Sequence, residues 1–479
     1  MGGSARGGEK TMKEEVLPLV VHDADVSIDP VKHTRRFVVS EVKVLLELIG
    51  PVVFTLVNEY IPAVTNIVLV GHSISPNVKE QLLNITSMST ALGLASAMDT
   101  LCTQAFGAGN HKKFGEYLQG AILGMALFLV PVCLINWYSE AILVFLGQDP
   151  VISAMAGVFI RWSTIGMPFL CAYELIKRLL QAHQITTPPA IVSLLGNVIH
   201  VAAGYYLIHY SSWGFYGAAV GRSVAYVSLP FLMLPYFYWH PIHLEWNLRW
   251  KWTEAWANLP LFLEFGMPGM VSLVVEWGAF EILTLMSGLM ADHTIALGVN
   301  SILMTIISIV YMPFWGVSTG ACIRIGYYLG ANKPVEAKIS TYVSYALSTC
   351  CCLISGAALF FTRNFLPALF VNDVDMIQRT SFAVLFLIPC HMIDSMNSVT
   401  TGVLRAMGKQ QVGVVILMSA YYIVGIPMAA LCAFYLDWSV EGLWVGFTFG
   451  TAAAYLSYIY QLRTTNWRHL AQAANTRSM

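Results

Sequence analysis

Five carboxylates lie deep in long apolar stretches of the chain: Glu59, Glu174, Glu276, Glu281 and Asp394. A charge at the centre of a membrane helix costs roughly 2.5–3.5 kcal/mol on insertion scales, so each of them requires a reason. A carboxyl group taken out of water holds its proton more tightly, and a second carboxylate nearby strengthens that hold for one of the two. Such a group can bind and release protons near neutral pH. Glu276 and Asp394 are the strongest candidates for this chemistry, each about 18 residues into its apolar stretch and both in the second half of the chain. Glu281 follows Glu276 by five residues, about 140° around an α-helix, so the two face different sides. Glu47 and Glu264 stand near the ends of their stretches, where a long side chain can reach the interface.

Little else points to a reacting group. There is no HExxH, no GxSxG at the end of a stretch, no paired histidines on one helix and no phosphate loop. His72, His183, His200 and His391 are dispersed. Of the nine cysteines, Cys350, Cys351 and Cys352 are consecutive and the others are scattered through apolar runs, which is neither a disulfide framework nor a zinc spacing. The expectation is a protein that is not an enzyme, with no cofactor and no metal. Tyr60, Trp277, Tyr311 and Trp315 lie near the deep acids, and their ring faces attract organic cations, although most membrane aromatics only pack or sit at the interface. The Gly- and Lys-containing segments 107–113 and 330–338 read as tight turns with topology-setting charge. Asn84-Ile-Thr86 is a glycosylation sequon, but it begins an apolar stretch, which argues against modification.

The elements that must position these residues are membrane helices. Of 479 residues, 57% are apolar and 11% charged, where a soluble domain carries about 25% charge. A soluble, disordered or disulfide-stapled chain is excluded, and a net charge of −1 gives no reason to expect nucleic acid. The apolar residues fall into twelve stretches, at 45–71, 83–106, 117–142, 152–176, 188–209, 215–239, 259–288, 295–328, 340–361, 377–403, 412–435 and 441–462. Each is long enough to span a bilayer, and several exceed the ~20 residues required, so tilts or kinks are expected. Pro51, Pro168, Pro268, Pro313, Pro389 and Pro427 lie in or at the ends of these stretches. Of the 26 Lys and Arg, 21 fall on the side of the two tails and three on the other, with Arg161 and Arg222 inside stretches. By the positive-inside rule both termini are expected in the cytoplasm. Residues 1–43 read as a mobile, uncleaved tail, 44–240 as a first six-helix lobe, 241–258 as a linker, 259–462 as a second lobe and 463–479 as a second tail.

The two lobes repeat one another. Gly50-Pro51 precedes Glu59 as Met267-Pro268 precedes Glu276, and Gly71 matches Gly288. Gly107-Ala108 matches Gly330-Ala331, Leu180-Gln181-Ala182 matches Leu404-Arg405-Ala406, and 217–221 matches 442–446. Six spans per repeat start both halves on the same side of the membrane, so the repeats are parallel, about an axis along the membrane normal. Two such lobes around a central cleft suit alternating access.

Residues 93–110 (GLASAMDTLCTQAFGAGN), 276–288 (EWGAFEILTLMSG) and 394–410 (DSMNSVTTGVLRAMGKQ) are similar to motifs of the multidrug and toxic compound extrusion (MATE) transporters, in particular their eukaryotic branch. YYIVGIP at 421–427 and GLWVG at 442–446 add to the resemblance, which runs from about 45 to 462. It implies an all-α polytopic membrane protein with two six-helix lobes that exports organic solutes in exchange for protons or sodium ions. It also implies cation coupling at Glu276 and Asp394, and an acid is common at Glu281. Asn66 stands where many bacterial members carry an aspartate. Glu59 stands where plant and animal relatives usually show glutamine, and Glu174 where relatives often have an uncharged polar residue.

The expected function is therefore a secondary efflux antiporter, with Glu276, Asp394 and Glu281 coupling to protons. Glu59, Asn66, Glu174, Tyr60, Trp277, Tyr311 and Trp315 are the expected substrate contacts. Extra acid at Glu59 and Glu174 favours cationic cargo; ion pairing with Arg161 or Arg222 is an equally physical account of those two acids. Sodium coupling and a flippase for lipid-linked substrates are the alternatives, the latter disfavoured by a cleft whose deep charges are mostly acidic. The expected partners are a small organic solute, protons and the lipid bilayer, without nucleic acid and with the chain a monomer. The expected location is a plasma membrane or a vacuole-type endomembrane.

Overall fold

The computed structural model describes residues 30–70, 84–145, 147 and 149–479, and the side chains of all of these except 30–34, 63–70, 84–85 and 215. Among the described residues every element is helical. The long helices are α1 (Pro30–Val70), α2 (Ser89–Gly107), α3 (Lys113–Trp137), α4 (Pro150–Thr164), α5 (Met167–Ala182), α6 (Thr187–His209), α7 (Gly217–Trp239), α8 (Trp252–Gly288), α9 (His293–Gly330), α10 (Pro334–Thr362), α11 (Val374–Met407), α12 (Gln410–Tyr435), α13 (Ser439–Arg463) and α14 (Trp467–Ser478). Helix stands at all twelve positions of the apolar stretches. The stretch at 152–176 is the pair α4–α5, bent by 50° between Thr164 and Met167. A Cβ on Gly166 in this bend would lie 2.9 Å from the Tyr226 Cβ and 3.0 Å from the Ser223 Cα, so glycine lets the bend press directly on α7.

Eight described helices, and the α4–α5 pair as a ninth, are long and apolar enough to cross a membrane. Helix α2 falls short of that test because it is polar: Ser89 to Ala105 are all buried, and its Ser, Thr, Gln and Asp side chains face protein rather than lipid.

Each lobe has its own apolar core, one around Leu94, Met98, Tyr173 and Leu180, the other around Leu283, Leu303, Leu387 and Trp444. The first helix of each repeat crosses to the opposite lobe. Phe262 and Phe265 of α8 join the first core. Leu45 and Ile49 of α1 pack with Val317, Val343 and Val399 of the second lobe. The lobes meet most tightly at the end where α1 begins and α14 lies, here the tail end. There Gly107 and Gly330, equivalent in the repeat, take each other's backbone at close range. A Cβ on Gly107 would lie 2.0 Å from the Tyr327 carbonyl oxygen, and one on Gly330 1.9 Å from that of Gln104. These glycines do more than the turn role expected of them: they let two lobes touch.

Two segments expected as tails are built into the fold. Residues 467–478 form α14, with Ala471 and Ala474 buried on the second core. Its Asn475 Nδ2 donates to the Gly330 carbonyl (2.8 Å) and its Arg477 Nη1 to Gln104 Oε1 (3.1 Å), so α14 bridges the seam. Helix α1 begins at Pro30, ahead of the expected residue 44, and Glu41 is buried at its centre of contacts. Residues 1–29, for which a mobile tail is expected, lie outside the described residues. The linker is held against the first lobe: Trp246 Nε1 donates to His183 Nε2 (3.2 Å) and the Lys251 amide to Gln119 Oε1 (2.8 Å).

Candidate functional site

A cavity of about 510 Å³ lies between the lobes, in the middle of the long helices. Glu59, Tyr60, Glu276, Trp277, Glu281, Tyr311, Trp315 and Asp394 all line it. Pro51 and Pro268 occupy the same place in α1 and α8, eight residues before Glu59 and Glu276, and the repeat thereby sets these two acids at matching depths. Glu276 on α8, Asp394 on α11 and Tyr311 on α9 line the cavity together, with the two acids close enough to act on each other electrostatically. The Tyr421 hydroxyl of α12 donates to Asp394 Oδ1 at 2.7 Å. Glu281 lines a further part of the same cavity, which extends along α8 from Pro268 to Thr284. Asn66 lies in α1, with its side chain outside the described ones.

The first-lobe acids sit in a different environment from the one expected. Lys177 Nζ stands 2.6 Å from Glu59 Oε1 and 2.6 Å from Glu174 Oε1. One ammonium holds two carboxylates, so these acids bring far less negative charge to the cleft than their number suggests. Glu174 is 1% exposed, behind the cavity wall, which makes it a packing partner of Lys177 rather than a surface for cargo. Arg161 and Arg222, the partners considered from sequence, are engaged elsewhere. Arg161 Nη2 pairs with Glu140 (2.9 Å), and Arg222 Nε donates to the Tyr226 hydroxyl (2.9 Å).

Sequence reasoning missed a set of buried ions. Asp99 on α2 accepts from Arg178 of α5 (3.0 Å) and from Arg405 of α11 (3.2 Å). Arg324 Nη2 lies 2.6 Å from Glu41 Oε2, with Ser340 Oγ donating to Glu41 Oε1 (2.8 Å) and Tyr328 bonded to both ions. Both sets join the first lobe to the second. Lys177, Arg178, Arg324 and Arg405, which fall among the 21 tail-side cations by sequence, are paired helix residues, the first three buried and Arg405 half-buried, and 17 tail-side cations remain against three. A signal was available in Glu174-Leu-Ile-Lys177-Arg178, whose three- and four-residue spacings put the acid and both bases on one helix face.

The MatE family model matches residues 75–206 and 268–431, in both lobes. The chain belongs to the MATE family of membrane transporters. The chain is 29% identical to "Multidrug and toxin extrusion protein 2" of Mus musculus, over 91% of this chain and 77% of that one. It is also 29% identical to "Protein DETOXIFICATION 16" of Arabidopsis thaliana, over 94% and 93%. The solved eukaryotic MATE transporter AtDTX14 superposes with a TM-score of 0.87 at 26% identity, covering 92% of this chain and 100% of that one. The protein is thus a eukaryotic-type MATE transporter, an integral multi-pass membrane protein and not an enzyme, as the motifs at 93–110, 276–288 and 394–410 imply.

Proposed function

We propose that this MATE transporter exports small organic solutes, among them cations, in exchange for protons, by alternating exposure of the central cleft. The observation that carries this reading is the placement of Glu276 and Asp394, from two helices of one lobe, in the same cavity as Trp277, Trp315 and Tyr60. A proton held there and a cationic solute contend for the same negative charge, so loading one favours release of the other. The pairing of Glu59 and Glu174 with Lys177, and of Glu174 with Arg178, shifts the attraction for cations toward the second lobe, to Glu276, Glu281 and Asp394. The relatives' names, with multidrug and toxin extrusion among them, support export of organic compounds. The 17-to-three excess of tail-side cations supports cytoplasmic termini, in a plasma membrane or vacuole-type endomembrane.

The test is uptake of a radiolabelled organic cation into inverted vesicles, with and without an imposed pH gradient. E276Q keeps the shape of the acid and loses its proton. The protein is expected to fold, as judged by a single size-exclusion peak, and to lose at least nine-tenths of gradient-driven transport. Transport by E276Q at the original rate defeats the proton reading. Replacing sodium with choline is expected to leave wild-type transport intact, and a strict sodium requirement shifts the reading to sodium coupling.

A further inference from the structure

Six charges, four of them buried and Glu59 and Arg405 half-buried, form an unbroken chain from the cleft wall to the seam between the lobes. Lys177 bridges Glu59 and Glu174. Arg178 lies 3.9 Å from Glu174 and 3.0 Å from Asp99, and Arg405 lies 3.2 Å from Asp99. The chain holds three acids and three bases, and Arg405 is its one member from the second lobe. Without Arg405 the first-lobe part carries one uncompensated negative charge.

Arg405 also faces the other way. It follows Asp394 on α11 by 11 residues, about 20° past three full turns, so both share one face of the helix. Ser398 and Thr401 lie between them on that face and line the same cavity. Glu276 is within electrostatic range of both Asp394 and Arg405. A guanidinium keeps its charge at any ordinary pH, so its position, rather than its protonation, responds to neighbouring charge.

We infer that Arg405 is a positioning residue shared between the coupling acids and the seam: negative charge on Glu276 or Asp394 loosens the Arg405–Asp99 bridge, and protonation of both tightens it. This rests on the proton-exchange reading of Glu276 and Asp394. The remaining seam bonds beside Arg405 are uncharged and indifferent to protonation. Thr100 Oγ1 donates to the Arg405 carbonyl (2.6 Å), Gln104 Nε2 to that of Ala406 (2.8 Å) and Gln410 Nε2 to Thr100 Oγ1 (2.9 Å). Among the described residues, the titratable groups around the acids are Tyr311 of α9, Cys390 of α11, Tyr421 of α12 and Tyr458 of α13, and those around Arg405 are Asp99, Arg178 and Cys322. The phenols and thiols ordinarily stay neutral near pH 7, which leaves the arginine to feel the change. When the lobes part at the tail end, Arg405 leaves with the second lobe. It then compensates ionised acids there, while protonated acids offer it nothing. Tail-end opening is therefore favoured with the proton released and resisted with the proton bound, and by linkage the acids hold their proton less tightly in the tail-open state.

The test uses spin labels on a ketone-bearing residue introduced at Lys112 and Lys333, exposed positions of the two lobes at the tail end, in full-length protein in nanodiscs. Inter-lobe distances are measured from pH 5 to 8.5. The wild-type ratio of open to closed seam is expected to rise with pH by about 5- to 150-fold. In R405Q the ratio is expected to become nearly independent of pH, changing less than about twofold, and R405K to restore part of the response. If R405Q does not fold, D99N breaks the same bridge from the other lobe with the same expected result. A wild-type seam that ignores pH, or an R405Q seam that keeps the wild-type response, overturns the inference. Gradient-driven transport surviving in E276Q defeats the proton reading itself, so the two failures are told apart by which variant misbehaves.

Discussion

The two lobes share a repeat and a helix order, yet they treat buried acid in opposite ways. In the first lobe Glu59 and Glu174 share Lys177, and Asp99 has Arg178 and Arg405. In the second, Asp394 accepts from the Tyr421 hydroxyl and Glu276 stands beside Tyr311, while the nearby cation Arg405 is bonded to Asp99. An ion pair deep in a protein fixes both charges, since removing one strands the other at a cost of several kcal/mol. A carboxyl beside hydroxyls has partners in either charge state, because a hydroxyl both donates and accepts. The difference shows that equal depth and equal residue type do not give equal chemistry. One lobe ties its acids to cations, and the other leaves them beside hydroxyls, the environment on which the proposed proton exchange rests.

The strongest way to break this contrast is Asp394→Asn. It is expected to remove at least nine-tenths of gradient-driven export, measured in inverted vesicles, with little loss of thermal stability. A large fall in melting temperature with intact transport would make Asp394 a strut as well. Lys177→Met tests the other side. It strands Glu59 and Glu174, and a loss of about 3–5 kcal/mol is expected in denaturation measurements. Adding Glu59→Gln and Glu174→Gln to it is expected to recover most of that loss; failure to do so would mean that Lys177 acts through packing rather than charge.

A smaller effect is expected where the lobes are alike. Gly107→Ala and Gly330→Ala each drive a Cβ into the opposing backbone, and each is expected to cost about 1–3 kcal/mol. Unequal losses would show that the seam is less symmetrical than the repeat. The smallest expected effect belongs to His183, just beyond α5 at the tail end. Burial pushes its imidazole down to about 4, from near 6.5 in an unfolded chain. Between those values the unfolded chain binds more proton, so the contribution to stability is complete above pH 6.5 and is lost as pH falls toward 4. Melting temperatures of wild type are expected to fall over that range more steeply than those of His183→Gln.

Much of the site is legible without a structure. Glu276, Asp394 and Glu281 announce themselves because a charged residue inside a long apolar run has few innocent explanations. Trp277, Tyr311 and Trp315 follow from their nearness to those acids along α8 and α9. Lys177 and Arg405 are not legible in the same way. Each stands near the end of an apolar stretch, where a cation serves topology in most membrane proteins, and only its partner shows that it is paired inside the protein. Asp99 hides for a related reason: it lies toward the end of its apolar stretch with Ser, Thr and Gln nearby, and only its partners Arg178 and Arg405 show that it is paired.

By itself, the sequence determined the twelve helices, the parallel repeat, the family and the acids of the second lobe, because hydropathy, proline position and buried charge are local properties of a helix. Only the tertiary structure decided which acids are neutralised and how the lobes touch. Glu59 and Lys177 are 118 residues apart, and Asp99 and Arg405 are 306 apart. The crossing of α1 and α8, the approach of Gly107 to Tyr327 and the docking of α14 are likewise contacts between distant segments. An ion's chemistry depends on what stands within a few ångströms of it, and across such separations chain periodicity carries no record of that distance.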